Sequence, residues 1–155
     1  MISFLKQKHW HNLSWIPVFI IGLGAVGLGM GWFLHPEPWM LDQQPNEKLL
    51  KATFTELLTV EINRYLPDYL RVVYRFFGWW VISIGMLIMA LVQVTRMGTA
   101  LARNLILGIL FIILIVLYYM VYNFLPTSPI KIAMHILTGL WFISAISSIK
   151  IEKFP

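Results

Sequence analysis

The sequence has no cysteine, which removes disulfides, thiolate metal sites, Cys-based redox chemistry and palmitoylation from the list of functions to weigh. Charge is nearly as scarce. Asp, Glu, Lys and Arg make up 12% of the 155 residues, against about 25% in an ordinary soluble domain. The H-E-x-x-H, Walker, kinase and G-x-S-x-G patterns are all missing, so the common hydrolase and nucleotide chemistries have no support. The longest apolar runs contain neither Asp nor Glu. That argues against a carboxylate proton relay or a single-chain ion channel. No catalytic residue and no metal set is assigned, and the expectation is a protein that is not an enzyme.

What fills the space is hydrocarbon. Hydrophobic residues account for 59% of the chain, and the mean hydropathy is +0.74. Four runs approach the roughly 20 residues that cross a ~30 Å hydrocarbon layer. They lie at about 16–34, 76–95, 105–122 and 130–149. The expected fold is an all-α membrane protein, a single domain over 1–155 with four transmembrane helices in a bundle. Only one connection, between the first and second runs, is long.

The first run contains Gly22-Leu23-Gly24-Ala25-Val26-Gly27, which fits the G-x-G-x-x-G dinucleotide turn, with Asp42 at the distance of a ribose-binding acid. Its context fails. A Rossmann unit needs a helix and a second strand after the third glycine, but His35-Pro36-Glu37-Pro38 follows almost at once. The same residues read better as membrane-helix packing. Gly27-x-x-x-Gly31 and Ala25-x-x-x-Gly29 are small-residue stripes that let another helix approach closely. A cleavable signal peptide fits less well than an uncleaved anchor, because the run is long and ends in Trp32-Phe33-Leu34-His35 without an A-x-A-like site. Ahead of it, Phe4, Leu5, Trp10 and Trp15 beside Lys6 and Lys8 suit a segment at the membrane interface. His9-x-His11 lacks a nearby third metal ligand, and a haem between His135 and His35 is a remote alternative.

Basic residues near the runs set the expected orientation. With both termini cytoplasmic, Lys6, Lys8, Arg96, Arg103, Lys150 and Lys153 share the inner side with only Glu152. On the other side Lys48, Lys51, Arg64, Arg71, Arg75 and Lys131 mix with six acids, although Arg71, Arg75 and Lys131 near run ends count against the assignment. The expectation is a bacterial-type inner membrane. The net charge of +5 then serves topology and anionic lipid headgroups, and no nucleic-acid module is present.

The long connection carries an amphipathic pattern over 46–65, with Leu50, Phe54, Leu57, Leu58 and Tyr65 in one arc and Lys48, Thr55, Thr59 and Asn63 opposite. It predicts one helix lying along the membrane surface or capping the bundle mouth, with Glu61 inside its apolar arc. Below that cap, Arg75 at the head of the second run and His135 one turn inside Lys131 reach similar depth, where Tyr118, Tyr119 and Tyr122 end the third run. Arg75, His135, Tyr118, Tyr122 and Glu61 are therefore the candidate ligand pocket, since ionisable residues in spans are functional hypotheses by default.

Tyr74-Arg75 leading into Gly78 and Gly85, with Arg96 and Arg103 in a tight turn and two plain runs after it, resembles the DoxX-like small four-helix membrane proteins. The likeness covers about half the chain. Members of that group are mostly of unknown function, some being associated with quinone-linked sulfur oxidation or membrane redox complexes. The resemblance implies a four-helix fold and Arg75 as the recurring residue at the helix entrance. Three functions follow in order of expectation. The first is a non-enzymatic accessory or interaction subunit whose partners are membrane lipids and a membrane protein or further copies of itself. The second is a redox accessory or enzyme taking a quinone or lipid-like ligand near the outer leaflet. The third is an oligomeric small-molecule transporter. No cofactor is expected under the first reading, and a quinone under the second.

Overall fold

A computed structural model describes residues 2–152, with side chains from 7 to 151. Regular structure among the described residues is helical throughout. Six α-helices run α1 Ile2–Leu34, α2 Gln43–Leu50, α3 Phe54–Thr59, α4 Leu66–Thr95, α5 Ala100–Phe124 and α6 Ile130–Glu152. Four of them, α1, α4, α5 and α6, are long and apolar enough to cross a membrane. A bilayer offers no water to backbone groups, so a spanning segment must satisfy its own hydrogen bonds, and a helix does that within one segment.

Each long helix extends beyond its apolar run. The 33 residues of α1 cover about 50 Å at 1.5 Å per residue, more than the hydrocarbon needs, and the interfacial segment before residue 16 is part of the same helix. The glycines of the apparent dinucleotide turn lie inside it. Pro17 is also inside α1, which continues through it. After Leu34 the chain turns at Pro36 into a 3₁₀ turn, Pro38–Asp42, with Trp39 fully buried.

The connection differs from the single helix expected over 46–65. It forms two short helices followed by a 3₁₀ turn, Glu61–Asn63. Lys51 takes the left-handed conformation at φ 54° and closes α2. Thr53 then starts α3 with a capping box: its hydroxyl accepts from Glu56 N at 3.1 Å, and Glu56 Oε2 accepts from Thr53 N at 2.8 Å. The Thr53-x-x-Glu56 signature was the readable sign of the break. Glu47 fastens the pieces together, accepting from Gln43 Nε2 and from Phe54 N, both at 2.9 Å.

Among the long helices, α1 lies between α4 and α6, and α5 packs on α6. The α1–α4 contact is the most extensive and is made by glycine. A Cβ built on Gly22 would lie 2.9 Å from the Gly85 carbonyl oxygen, and one on Gly85 would lie 2.6 Å from that of Gly22. Gly29 and Gly78 repeat the arrangement two turns away. Close backbone approach replaces the hydrophobic drive that is weak between helices in lipid. Side-chain donors join the other helices. Ser144 Oγ on α6 donates to the Ser14 carbonyl on α1, and Trp141 Nε1 on α6 donates to the Leu107 carbonyl on α5 at 2.9 Å.

All four long helices meet near the end that carries the termini. Val18, Ile21, Val92, Met97, Ile106, Leu107 and Leu110 form one buried cluster, with Leu137, Leu140 and Trp141 against it. The turn from α4 to α5 closes this end. Arg96 and Met97 are both left-handed, at φ 49° and 51°, and the buried Arg103 guanidinium donates to the carbonyls of Met97 and Gly98, each at 3.2 Å. Arg96 lies 4.6 Å over the Trp15 ring, and Lys150 lies 4.0 Å over Trp10. Paired cations and indoles suit the polar edge of a bilayer.

Candidate functional site

Tyr118, Tyr122 and His135, three of the five residues expected to line a pocket, come together where α5 and α6 face each other. Tyr118 and Tyr122, one turn apart on α5, have stacked rings 6.0 Å between centroids. Tyr118 Oη lies 3.0 Å from His135 Nδ1 and 3.1 Å from Thr138 Oγ1. Lys131, one turn before His135 on α6, places its ammonium 5.0 Å from the Tyr122 ring centroid. Thr138 and Lys131 were outside the expected pocket, and their i, i+3 and i, i+4 spacing from His135 was the signal that could have included them.

Thr138 Oγ1 also lies 2.8 Å from the Met134 carbonyl, to which it can donate. The Tyr118–Thr138 and Tyr118–His135 contacts can run in either direction; with the Thr138 proton on the Met134 carbonyl, Tyr118 donates to Thr138 and accepts from His135 Nδ1–H. In a neutral ring this tautomer puts the lone pair on Nε2. The His135 side chain is exposed.

Arg75 and Glu61 stand apart from these groups. Arg75 belongs to α4, which packs on α1, whereas Tyr118, Tyr122 and His135 belong to α5 and α6. Its side chain is exposed and makes no hydrogen bond or ion pair with the described residues. Arg71, one turn earlier, is tied down: Nε donates to the Pro36 carbonyl at 3.1 Å and a terminal nitrogen pairs with Asp68 at 2.8 Å. Glu61 is exposed in the second 3₁₀ turn, 3.5 Å from Arg64.

The expected packing glycines also separate. Gly29 is in the α4 seam, but a Cβ on Gly27 or Gly31 would meet open space. Ala25 is half-buried. The glycine that repeats with Gly29 is Gly22, seven residues earlier, matching the seven-residue interval from Gly78 to Gly85. Gly24, Gly27 and Gly31 lie on roughly the opposite side of α1 at 100° per residue, and among the described residues nothing lies within 4 Å of a Cβ placed there.

Gly27 and Gly31 line a cavity of about 310 Å³ between α1 and the start of α6. Trp32 and Ile130 form its apolar sides, and Asp42 lies at its edge. Asp42, 8% exposed, accepts from Ser128 Oγ at 2.9 Å; Ser128 Oγ in turn accepts from Ile130 N at 3.2 Å. Sequence reading passed over Asp42 as an accident of glycine spacing. No local pattern links residue 42 to residue 128, so only the tertiary fold reveals the pair. Among the described residues, no cluster of three or more His, Asp or Glu could hold a metal ion.

No protein-family model, curated protein or solved structure matches this chain.

Proposed function

We propose that this is a small multi-pass membrane protein, a four-helix bundle with both termini cytoplasmic, acting as a non-enzymatic accessory or interaction subunit. The observation that carries this reading is the division of α1 into two glycine faces. Gly22 and Gly29 lie in the seam with α4, and Gly24, Gly27 and Gly31 are uncovered. A second transmembrane helix can approach α1 there as closely as α4 does on the other side. Exposed Leu49, Leu50, Val60 and Ile62 on the connection add apolar contact area outside the long runs. Further support comes from polar side chains within the long helices. Ser83, Thr138, Trp141, Ser144 and Ser147 all donate to backbone carbonyls, as structural groups do.

Co-purification from the native membrane in mild detergent tests the proposal. A stoichiometric membrane partner, or a second copy of the chain, should be retained by the wild type and lost with Gly24→Leu. Gly24 is suited to this because a Cβ there meets nothing among the described residues. A lone monomer at native expression level, unchanged by Gly24→Leu, would overturn the reading.

A second reading has its own support in the Tyr118–His135 pair. It is the DoxX-like redox accessory, with a quinone-type molecule at the outer leaflet. An Nε2 lone pair suits the hydroxyl of a reduced quinol better than the carbonyl of its oxidised form. Arg75 lies on a different helix pair and is not part of that reading.

A further inference from the structure

We propose that the cavity beside Asp42 binds an amphiphile whose headgroup carries an N–H-bearing ammonium close to an oxygen acceptor. Two independent features point to such a headgroup. Asp42 is nine-tenths buried and accepts one hydrogen bond, from Ser128, with no Lys, Arg or His ion-paired to it among the described residues. A carboxylate in apolar surroundings without a cation is costly, and an ammonium group supplies both the charge and the missing donors. Trp32 lines the same cavity at 6% exposure, and its Nε1 has no hydrogen-bond acceptor. The comparable donor of Trp141 does find one. Buried indole N–H groups normally have a partner; the Trp32 N–H is closed off from solvent, so an oxygen on the occupant completes it once the indole shifts towards the cavity.

Size and position fit the same class. A cavity of about 310 Å³ lies at the lower end of the ~300–1,000 Å³ range of small-molecule sites. It sits at the outer ends of two spanning helices, and exposed Leu28 and Leu41 line it. A molecule in the bilayer can enter sideways with its chain against Gly27 and Gly31, whose missing side chains leave the room. Aminophospholipids and free single-chain amino alcohols share this headgroup chemistry. The site shares Gly27 and Gly31 with the face invoked in the subunit proposal, and the two are told apart at Gly24, which lies outside the cavity.

Native mass spectrometry of the full chain, titrated with phosphatidylethanolamine, phosphatidylcholine and sphinganine, tests the site. Phosphatidylcholine is the control because its quaternary ammonium has no N–H. The wild type should bind phosphatidylethanolamine or sphinganine at least fivefold more tightly than phosphatidylcholine. Asp42→Asn, which still accepts from Ser128, should abolish the preference. Trp32→Phe should weaken it two- to fivefold. A preference confined to phosphatidylethanolamine assigns the lipid source, and one confined to sphinganine assigns the free amine. Gly31→Leu fills the cavity without touching the α4 seam and should also abolish the preference, so it decides the matter if Asp42→Asn fails to fold. Equal binding of all three molecules by the wild type, or a preference that survives Gly31→Leu, would overturn the proposal.

Discussion

Gly29 and Gly78 meet so closely that a Cβ on Gly29 would lie 2.6 Å from the Gly78 carbonyl oxygen, and one on Gly78 would lie 2.7 Å from that of Gly29. The obstruction is backbone on both sides, which a rotamer change cannot relieve. Gly29→Ala or Gly78→Ala should therefore cost about 1–3 kcal/mol through forced separation of α1 and α4. Gly24→Ala should be neutral or stabilising, since alanine is the better helix former. Thermal unfolding in one detergent would rank the three variants. Equal midpoints for Gly29→Ala and Gly24→Ala would contradict the seam.

That pair also shows how far the sequence could be read. Four apolar runs were legible because a bilayer demands long helices, and the helix ends moved only outward into polar sequence. Small residues on the first run were legible as a packing surface. Which of them pack was not, because i, i+4 spacing selected Gly27 and Gly31, whereas the partner helix repeats its glycines every seven residues, in step with Gly22 and Gly29. The Tyr118–His135 meeting was legible from matched depth alone. Arg75 shares that depth but lies on another helix pair, and depth says nothing about helix order. Asp42 and Ser128 are 86 residues apart, beyond the reach of any local pattern.

Arg103 holds the α4–α5 turn by donating to the carbonyls of Met97 and Gly98 from a buried position. Arg103→Met keeps the bulk and removes the donors. The loss should be about 2 kcal/mol, because the carbonyl of buried Met97 loses its Arg103 donor next to two left-handed residues. Chemical unfolding of both proteins in the same micelle measures it, and a difference within error would assign the turn's stability to packing of Met97 instead.

Acid should loosen the connection at α2 and α3 before it affects the spans. The backbone N–H of Phe54, and then the side chain of Gln43, hold the Glu47 carboxyl below its ordinary value; the backbone N–H of Thr53, and then its hydroxyl, do the same for Glu56. Depressed folded-state values mean that these contacts contribute fully above the ordinary value of 4.5 and are lost as pH falls through the lower folded values. Amide NMR signals of Thr53 and Phe54 should move together below pH 4.5, and Glu56→Gln should remove the Thr53 response. Signals that titrate in the neutral range would reject this assignment.

The missing cysteines make orientation simple to measure. Thr55 in α3 and Gly98 in the α4–α5 turn are both exposed and lie at opposite ends of α4. Single Thr55→Cys and Gly98→Cys proteins in intact cells should differ towards a membrane-impermeant thiol reagent. With cytoplasmic termini, position 55 reacts at once and position 98 only after permeabilisation. The reverse order would invert the topology and make Arg71, Arg75 and Lys131 the residues that set it.

The hydroxyl of Thr138 fixes the state of a ring on the next turn. If its proton goes to the Met134 carbonyl, Tyr118 donates to Thr138 and accepts from His135 Nδ1–H. Nitrogen-15 NMR of the neutral imidazole should then show a protonated Nδ1 and a bare Nε2, the reverse of the usual preference in water. Tyr118→Phe removes the acceptor and should return the ring to its ordinary tautomer. Thr138→Val should act in the same direction more weakly, by freeing Tyr118 to donate to His135 instead. A ring with protonated Nε2 in the wild type would mean that Thr138 does not give its proton to Met134. It would also remove the basic Nε2 on which the quinol reading rests.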